Sequence, residues 1–168
     1  MTTWFENAQA DYHSAALLTD AAEQNPVYLA GAGRSTQQAI EKILKAIIQQ
    51  KGQTIAKKLA THDISALVKE CGRQGVEMPD ILKKMSRQIT DWYTESTYPG
   101  LGKYGTAEQI AVAVKMYEQL RDLFVEMINE KAECLVHCPY FTSSVWGCSL
   151  RVTRHDKKCK YPIPKECC

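Results

Sequence analysis

The feature that most constrains this chain is a cluster of large aliphatic residues that repeats at steps of three and four. Its members are Ile40, Ile43, Leu44, Ile47 and Ile48. This spacing places all five on one face of an α-helix, whereas a strand would need alternation with a period of two. We expect Ser35 to cap the start of this helix and Gly52 to end it, after a short loop containing Gly31 and Gly33. The sequence therefore predicts an amphipathic helix that buries this face in a core.

The same period recurs on both sides of this helix. A first helix is expected to stop near Asn25-Pro26, since proline disfavours helical geometry in the residue before it. A short third helix is expected to begin at Thr61 or Asp63 and to break at Gly72 and Gly75. The apolar face of the first helix consists of Trp4, Ala8, Tyr12, Ala15, Leu18 and Ala22. That of the third helix consists of Ile64, Leu67, Val68 and Cys71.

Two more helices complete the predicted bundle. Pro79 suits the first turn of a fourth helix, where its missing N–H costs nothing. After a loop at residues 98–102, Thr106 and Gln109 form a capping box that opens the last helix. No segment before residue 132 alternates usefully with a period of two, so the sequence predicts an all-α helical bundle. The inward positions of the fourth helix are Leu82, Met85, Ile89 and Trp92. Those of the last helix are Ala113, Tyr117, Leu120, Phe124 and Met127.

The character of the chain changes after Ala132. Its 168 residues, 45% of them hydrophobic, suffice for one domain that folds without disulfides or metal. Residues 134–168 hold six of the seven cysteines and three of the six prolines, without sustained periodicity. We therefore expect a helical bundle over residues 1–132 and an irregular, Cys-rich basic tail over residues 133–168. That tail is either ordered by a metal ion or not ordered.

Hydropathy argues against a membrane protein. No uninterrupted apolar stretch approaches the ~18 residues of a membrane-spanning helix. The first residues carry neither the basic segment nor the apolar segment of a secretion signal. We expect a cytoplasmic protein without a membrane partner.

Basic residues are concentrated in the middle of the chain. Residues 34–87 hold eleven bases and five acids, whereas residues 1–33 hold four acids and no base. Such asymmetry favours a phosphate-bearing partner, although solvated helix faces also carry scattered charge. The candidate phosphate contacts are Lys42, Lys45, Lys51, Lys57 and Lys58. In the alternative interpretation, Glu41 and Lys45 form an i,i+4 pair in solvent and the other lysines keep the loop soluble.

The turn Thr61-His62-Asp63 is a second candidate for ligand binding. Backbone N–H groups at the start of a helix favour anions, and His62 lies beside that start. Alternatively, Thr61 or Asp63 only caps the short helix, and His62 packs or hydrogen-bonds nearby.

The tail offers candidate zinc ligands. Cys134 and Cys138 are four residues apart and share a helix face if the helix continues that far. With Cys148 and either Cys159 or His155, they supply the four ligands of a structural zinc site. The alternative is free thiols in a reducing cytoplasm. The bundle itself is expected to require no cofactor.

One stretch of the chain resembles a known family. Residues 37–46, Gln-Gln-Ala-Ile-Glu-Lys-Ile-Leu-Lys-Ala, are similar to the QQAxEKxLKA helix of HEPN domains. Thr61-His62-Asp63-Ile64 resembles the THDL entry of that family into a short helix, and the other helices follow in the expected order over residues 4–130. The resemblance implies a four- to five-helix up-and-down bundle, usually a homodimer, that often acts beside a minimal nucleotidyltransferase.

One branch of HEPN domains cleaves RNA with an arginine followed four to six residues later by a histidine on the last helix. Arg121 is the arginine of the last predicted helix, and Val125, Glu126 and Met127 occupy the positions where that histidine would lie. Thr97 replaces the arginine that family members tend to carry before Tyr-Pro. We therefore expect a nucleotide- or RNA-associated binding module. The alternatives are a metal-independent ribonuclease with a displaced site, for which Arg151 and His155 are the nearest mimic, and a structural adaptor.

Overall fold

A computed structural model describes residues 3–52, 60–98, 103 and 105–137, with side chains up to residue 129. Within these ranges the chain forms five α-helices and no strand, which confirms the predicted all-α fold. The helices are α1 (Trp4–Gln24), α2 (Leu29–Gln50), α3 (Ile64–Arg73), α4 (Asp80–Thr97) and α5 (Ala107–His137). A single 3₁₀ turn, Pro26–Tyr28, joins α1 to α2.

The long helices alternate in direction. Asp11 of α1 pairs with Lys42 of α2, and Leu18 lies against Gly31, so α1 and α2 are antiparallel. The rings of Phe5 and Tyr12 pack on those of Phe124 and Tyr117, which makes α5 antiparallel to α1. The short α3 departs from this alternation: Gln37 contacts the His62 carbonyl and Leu44 contacts Cys71, so α3 runs in the same direction as α2.

Most of the predicted inward positions form the core. Ile40, Ile43, Leu44, Ile47 and Ile48 of α2 are all fully buried, as the periodicity required. Trp92 of α4 and Tyr117 of α5 are the largest buried side chains. Among the predicted inward positions, Trp4, Tyr12, Leu18, Met85 and Met127 remain partly exposed.

Several helix ends follow from short polar motifs. The Asp63 carboxylate caps α3 by accepting from the Ala66 N–H at 3.1 Å. Thr106 and Gln109 make both hydrogen bonds of the predicted capping box before α5. Gly75, with φ of +77°, follows α3 in the left-handed region, which glycine adopts without strain. Pro79 lies one residue before α4 rather than within its first turn.

The loop predicted around Gly31 and Gly33 is wrong. Helix α2 begins at Leu29, so both glycines and Ser35 lie inside it, and Ser35 is not its cap. Gly33 is buried against the Trp92 side chain, and a Cβ at this position would lie 3.6 Å from it, an ordinary contact distance. Both glycines therefore lie within a packed helix and do not mark a chain reversal.

The C-terminal part of the chain is described only in part. Helix α5 extends to His137 and therefore includes Cys134, whereas residues 138–168 lie outside the described residues. The compact units of the chain are residues 1–124 and 125–168, and the composition-based boundary at residue 132 stays a prediction. Among the described helices, none is long and apolar enough to cross a membrane.

Candidate ligand-binding site

Three polar side chains lie on one face of α2 within the core. Gln37, Glu41 and Lys45 follow one another at intervals of four residues, and each residue is at most 4% exposed. Residues four apart stack on the same face of a helix. A polar row of this kind in a core needs internal partners, because water is not available to solvate it. We call these three residues the buried polar cluster.

Glu41 is the centre of the buried polar cluster. Its carboxylate accepts from Lys45 Nζ at 2.7 Å, from Gln37 Nε2 at 2.9 Å and from His62 Nδ1 at 2.9 Å. Burial opposes the charge, but the hydrogen bonds from Lys45, His62 and Gln37 outweigh it and lower the pKa of Glu41. Glu41 is therefore an ionised carboxylate that only accepts hydrogen bonds.

Lys45 faces the interior and not a ligand. Its ammonium lies 4.9 Å from the centre of the Trp4 ring, in addition to its ion pair with Glu41. The i,i+4 pair that the spacing suggested is present, but it is buried and not in solvent as expected. The structure thus removes Lys45 from the surface on which a phosphate contact would have to lie.

The other candidate lysines are spread over separate places. Lys42 points away from the buried polar cluster and forms an ion pair with Asp11 at 2.5 Å. Lys51 follows the end of α2 and is half-buried. Lys57 and Lys58 lie outside the described residues, so their contribution to a binding site stays a prediction.

The backbone at the start of α3 is already occupied. The Asp63 N–H donates to Thr61 Oγ1, the Ile64 N–H to Thr90 Oγ1 and the Ala66 N–H to the Asp63 carboxylate. An anion would have to displace these acceptors, so the helix start offers little of what the sequence suggested. What the turn contributes is the side chain of His62.

His62 connects the buried polar cluster to the surface. Its imidazole donates inward to Glu41, while 56% of the side chain remains exposed. The ring stacks on Tyr93 of α4, with centroids 4.3 Å apart and planes inclined by 17°. The guanidinium carbon of Arg34, an exposed residue of α2, lies 5.9 Å from the centre of the same tyrosine ring. We call these three residues the Arg34–His62–Tyr93 surface.

Residue type and spacing indicate His62 but neither Arg34 nor Tyr93. Arg34 directly precedes Ser35, the residue expected to cap α2, and Tyr93 follows the inward-facing Trp92 by one residue, so neither carries a periodic signal. The three residues are 28 and 31 positions apart in the chain. Only the packing of α2, α3 and α4 brings them together.

Neither a metal centre nor the ribonuclease motif occurs among the described residues. No group of three or more His, Cys, Asp or Glu side chains there is arranged to hold a metal ion. The predicted zinc ligands Cys138, Cys148 and Cys159 lie beyond residue 137, outside this part of the chain. Arg121 of α5 donates to Asp122 at 2.8 and 3.0 Å, and no histidine follows it within six residues.

The five described helices, with a short α3 entered through a Thr-His-Asp turn and anchored on a Glu of α2, define a helical bundle of the HEPN type. The family model for the HEPN domain matches residues 1–128. The chain belongs to the HEPN domain family. The comparison with curated proteins and the comparison with solved structures found no match.

Proposed function

We propose that this HEPN domain binds a phosphate-bearing ligand, a nucleotide or RNA, at the Arg34–His62–Tyr93 surface. The observation that carries the proposal is the convergence of an exposed guanidinium and a half-exposed imidazole on one tyrosine ring. Arginine matches phosphate geometry with its fork of donors, and aromatic and guanidinium planes stack on unpaired bases.

Arg34 forms no ion pair with any described residue, so its guanidinium is available to a ligand. By contrast, Lys42, Lys45, Arg73 and Lys83 are each held by a carboxylate of the protein. The unpaired arginine therefore replaces Lys42 and Lys45 as the principal phosphate contact. Lys51, Lys57 and Lys58 remain candidate secondary contacts.

Family membership supports the same class of function. HEPN domains are often associated with nucleotides or RNA and are often dimeric. We extend this to the chain as a proposal: a homodimeric binding module that acts beside a minimal nucleotidyltransferase. We place binding ahead of catalysis because Arg121 is followed by none of the histidines that the ribonuclease branch uses.

The test is a titration with a labelled single-stranded RNA and with a labelled nucleotide, at about 50 mM and about 200 mM salt. Wild-type binding should weaken steeply with salt, because neutralising phosphates releases counterions. Arg34→Glu should weaken binding at least about tenfold, as expected when a charge-assisted contact is reversed. Arg87→Glu makes the same change of charge at an exposed position of α4 outside this surface and should leave affinity within about twofold.

Three results decide between the candidates. Absence of wild-type binding, or equal affinity of the Arg34 and Arg87 variants, would overturn the proposal. A loss confined to the Lys57→Glu/Lys58→Glu double variant would move the site to the lysines that follow α2. RNA that is shortened during the titration, and left intact by His155→Ala, would favour the displaced ribonuclease.

A further inference from the structure

The buried contact between Glu41 and His62 decides which imidazole nitrogen carries the proton. An ionised carboxylate accepts and does not donate, so the Nδ1 atom 2.9 Å from it must carry a hydrogen. In the neutral ring the other nitrogen, Nε2, is then an acceptor. Nε2 makes no hydrogen bond with any described residue, and the ring that carries it is half-exposed. In its neutral form the ring thus presents an oriented acceptor at the surface.

The position of this acceptor is fixed from two sides. Tyr93 stacks on the imidazole at a centroid distance of 4.3 Å, and the buried carboxylate of Glu41 is itself held by Lys45 and Gln37. Gln37 also donates to the His62 carbonyl at 3.3 Å, so the backbone is held together with the ring. A side chain whose supporting contacts are buried recognises a ligand group with little loss of its own freedom.

Arg34 and His62 together match a ligand that carries both a hydrogen-bond acceptor and a hydrogen-bond donor. Arg34 can only donate and therefore suits a phosphate oxygen, whereas the unprotonated Nε2 of a neutral imidazole accepts from a donor. The carboxylate of Asp63, the residue next to His62, accepts from the Ala66 N–H and caps α3. Both Arg34 and His62 lie against one tyrosine ring, so we take them as contacts of a single nucleotide unit. The group of RNA that lies beside the phosphate and donates a hydrogen bond is the ribose 2′-hydroxyl, which DNA lacks.

We infer that His62 selects RNA over DNA at this site by accepting a hydrogen bond from a 2′-hydroxyl, while Arg34 holds the adjacent phosphate. The inference rests on the proposed function and adds to it the class of nucleic acid and the residue that distinguishes it. Glu41 acts here as a positioning residue, because it touches His62 and not the ligand.

The experiment compares three oligonucleotides of one sequence: RNA, DNA and RNA carrying 2′-O-methyl groups. The methylated strand keeps the 2′-oxygen but has no hydroxyl hydrogen to donate. We expect wild type to bind RNA about 3- to 10-fold more tightly than DNA, the range of one hydrogen bond, and to bind the methylated strand as weakly as DNA. The measured quantity is the ratio of two affinities of one protein, which a general loss of folded protein does not change.

Two substitutions separate the inward and outward nitrogens of His62. In His62→Asn the amide nitrogen can replace Nδ1 as the donor to Glu41, but nothing replaces Nε2, so the preference for RNA should disappear. In His62→Gln the longer side chain carries its amide oxygen near the position of Nε2, so part of the preference should remain. Circular dichroism checks that both variants keep the helical fold.

The possible failures are distinguishable. If Arg34→Glu does not weaken binding, the proposed function itself is wrong. If binding depends on Arg34 but wild type binds RNA and DNA equally, or His62→Asn keeps the ratio, only the role of His62 is wrong. A methylated strand that binds as tightly as RNA would assign the contact to a base edge or to helix shape, and would also overturn the inference.

Discussion

Replacing Glu41 with glutamine tests the buried polar cluster most directly. The substitution keeps the size of the side chain but removes its charge. The Lys45 ammonium, in a residue 4% exposed, then loses its carboxylate partner and keeps the face of the Trp4 ring and at most a neutral amide oxygen. In addition, the amide of glutamine presents a donor toward a site whose three partners, Lys45, Gln37 and His62, all donate. At least one of these hydrogen bonds must be lost.

The expected loss of stability follows from this geometry. Breaking a buried ion pair by removing one partner costs about 3–5 kcal/mol, because the remaining charge is buried without compensation. Domains of this size are stable by about 5–15 kcal/mol, so the loss is large but can leave the variant folded. Lys45→Met should cost less, since Glu41 keeps the donors of His62 and Gln37. The double variant should be more stable than the sum of the two single losses predicts, with a coupling of about 0.5–3 kcal/mol.

Urea denaturation followed by circular dichroism measures these free energies of unfolding. The matched control is Asp80→Asn, which removes the carboxylate of an exposed pair with Lys83 and should cost no more than about 1 kcal/mol. A loss in Glu41→Gln as small as that of the control would refute the assignment of a buried ion pair. Strict additivity in the double variant would show that Glu41 and Lys45 do not interact.

The remaining predictions concern pH, packing and metal. Because the pKa of Glu41 is lowered on folding, its stabilisation is present above its ordinary value of 4.5 and lost as pH falls through the lower folded value. The free energy of unfolding should therefore fall less steeply with decreasing pH below 4.5 for Glu41→Gln than for wild type. A parallel fall in the two proteins would contradict this. Ile43→Ala should cost about 2–5 kcal/mol, and an unchanged urea midpoint would show that the face of α2 is misassigned. Gly105→Ala places a Cβ 2.7 Å from the Trp92 ring and should cost about 1–3 kcal/mol. Gly33→Ala places its Cβ 3.6 Å from the Trp92 side chain and should be neutral or stabilising by up to about 1 kcal/mol. Equal shifts of the melting temperature in the two variants would contradict both predictions. The zinc site predicted in the tail requires stoichiometric zinc in the purified full chain, and a metal-free chain by atomic absorption would leave the cysteines as thiols.

The fold was largely predictable because its helices carry strong local signals. The apolar stripe of α2, the Asp63 cap and the Thr106–Gln109 capping box each act within a few residues of sequence, and each is present in the structure. The start of α2 was mispredicted because glycine occurs inside packed helices as well as in the loops between them. Gly33 lies inside α2 and packs against Trp92, and a contact with a helix almost sixty residues away leaves no mark in the local sequence.

The candidate site was predictable only in part, for a related reason. The Thr61-His62-Asp63 turn and the lysines of α2 stand out by residue type, but exposure decides which of them can meet a ligand. Lys45 is removed from the surface, and Trp4, which covers its ammonium, comes from another helix. Arg34 acquires its role only because α4 places Tyr93 beside it. Residue type indicated the candidates, and helix packing determined which of these side chains lie at the surface.

The buried polar cluster fills part of the core with charged groups, whose removal from water costs free energy. This cost raises the question of what the cluster does. Apolar side chains of similar volume in place of a buried ion pair often leave stability unchanged or increase it. Stability alone therefore does not account for Glu41 and Lys45. What an apolar pair cannot supply is an acceptor for His62 Nδ1, which the Glu41 carboxylate provides at 2.9 Å. Burial raises the pKa of Glu41, and the hydrogen bond and charge of Lys45 help to lower it, so Lys45 favours the ionised carboxylate in the core. We infer that the ion pair orients His62 toward a ligand.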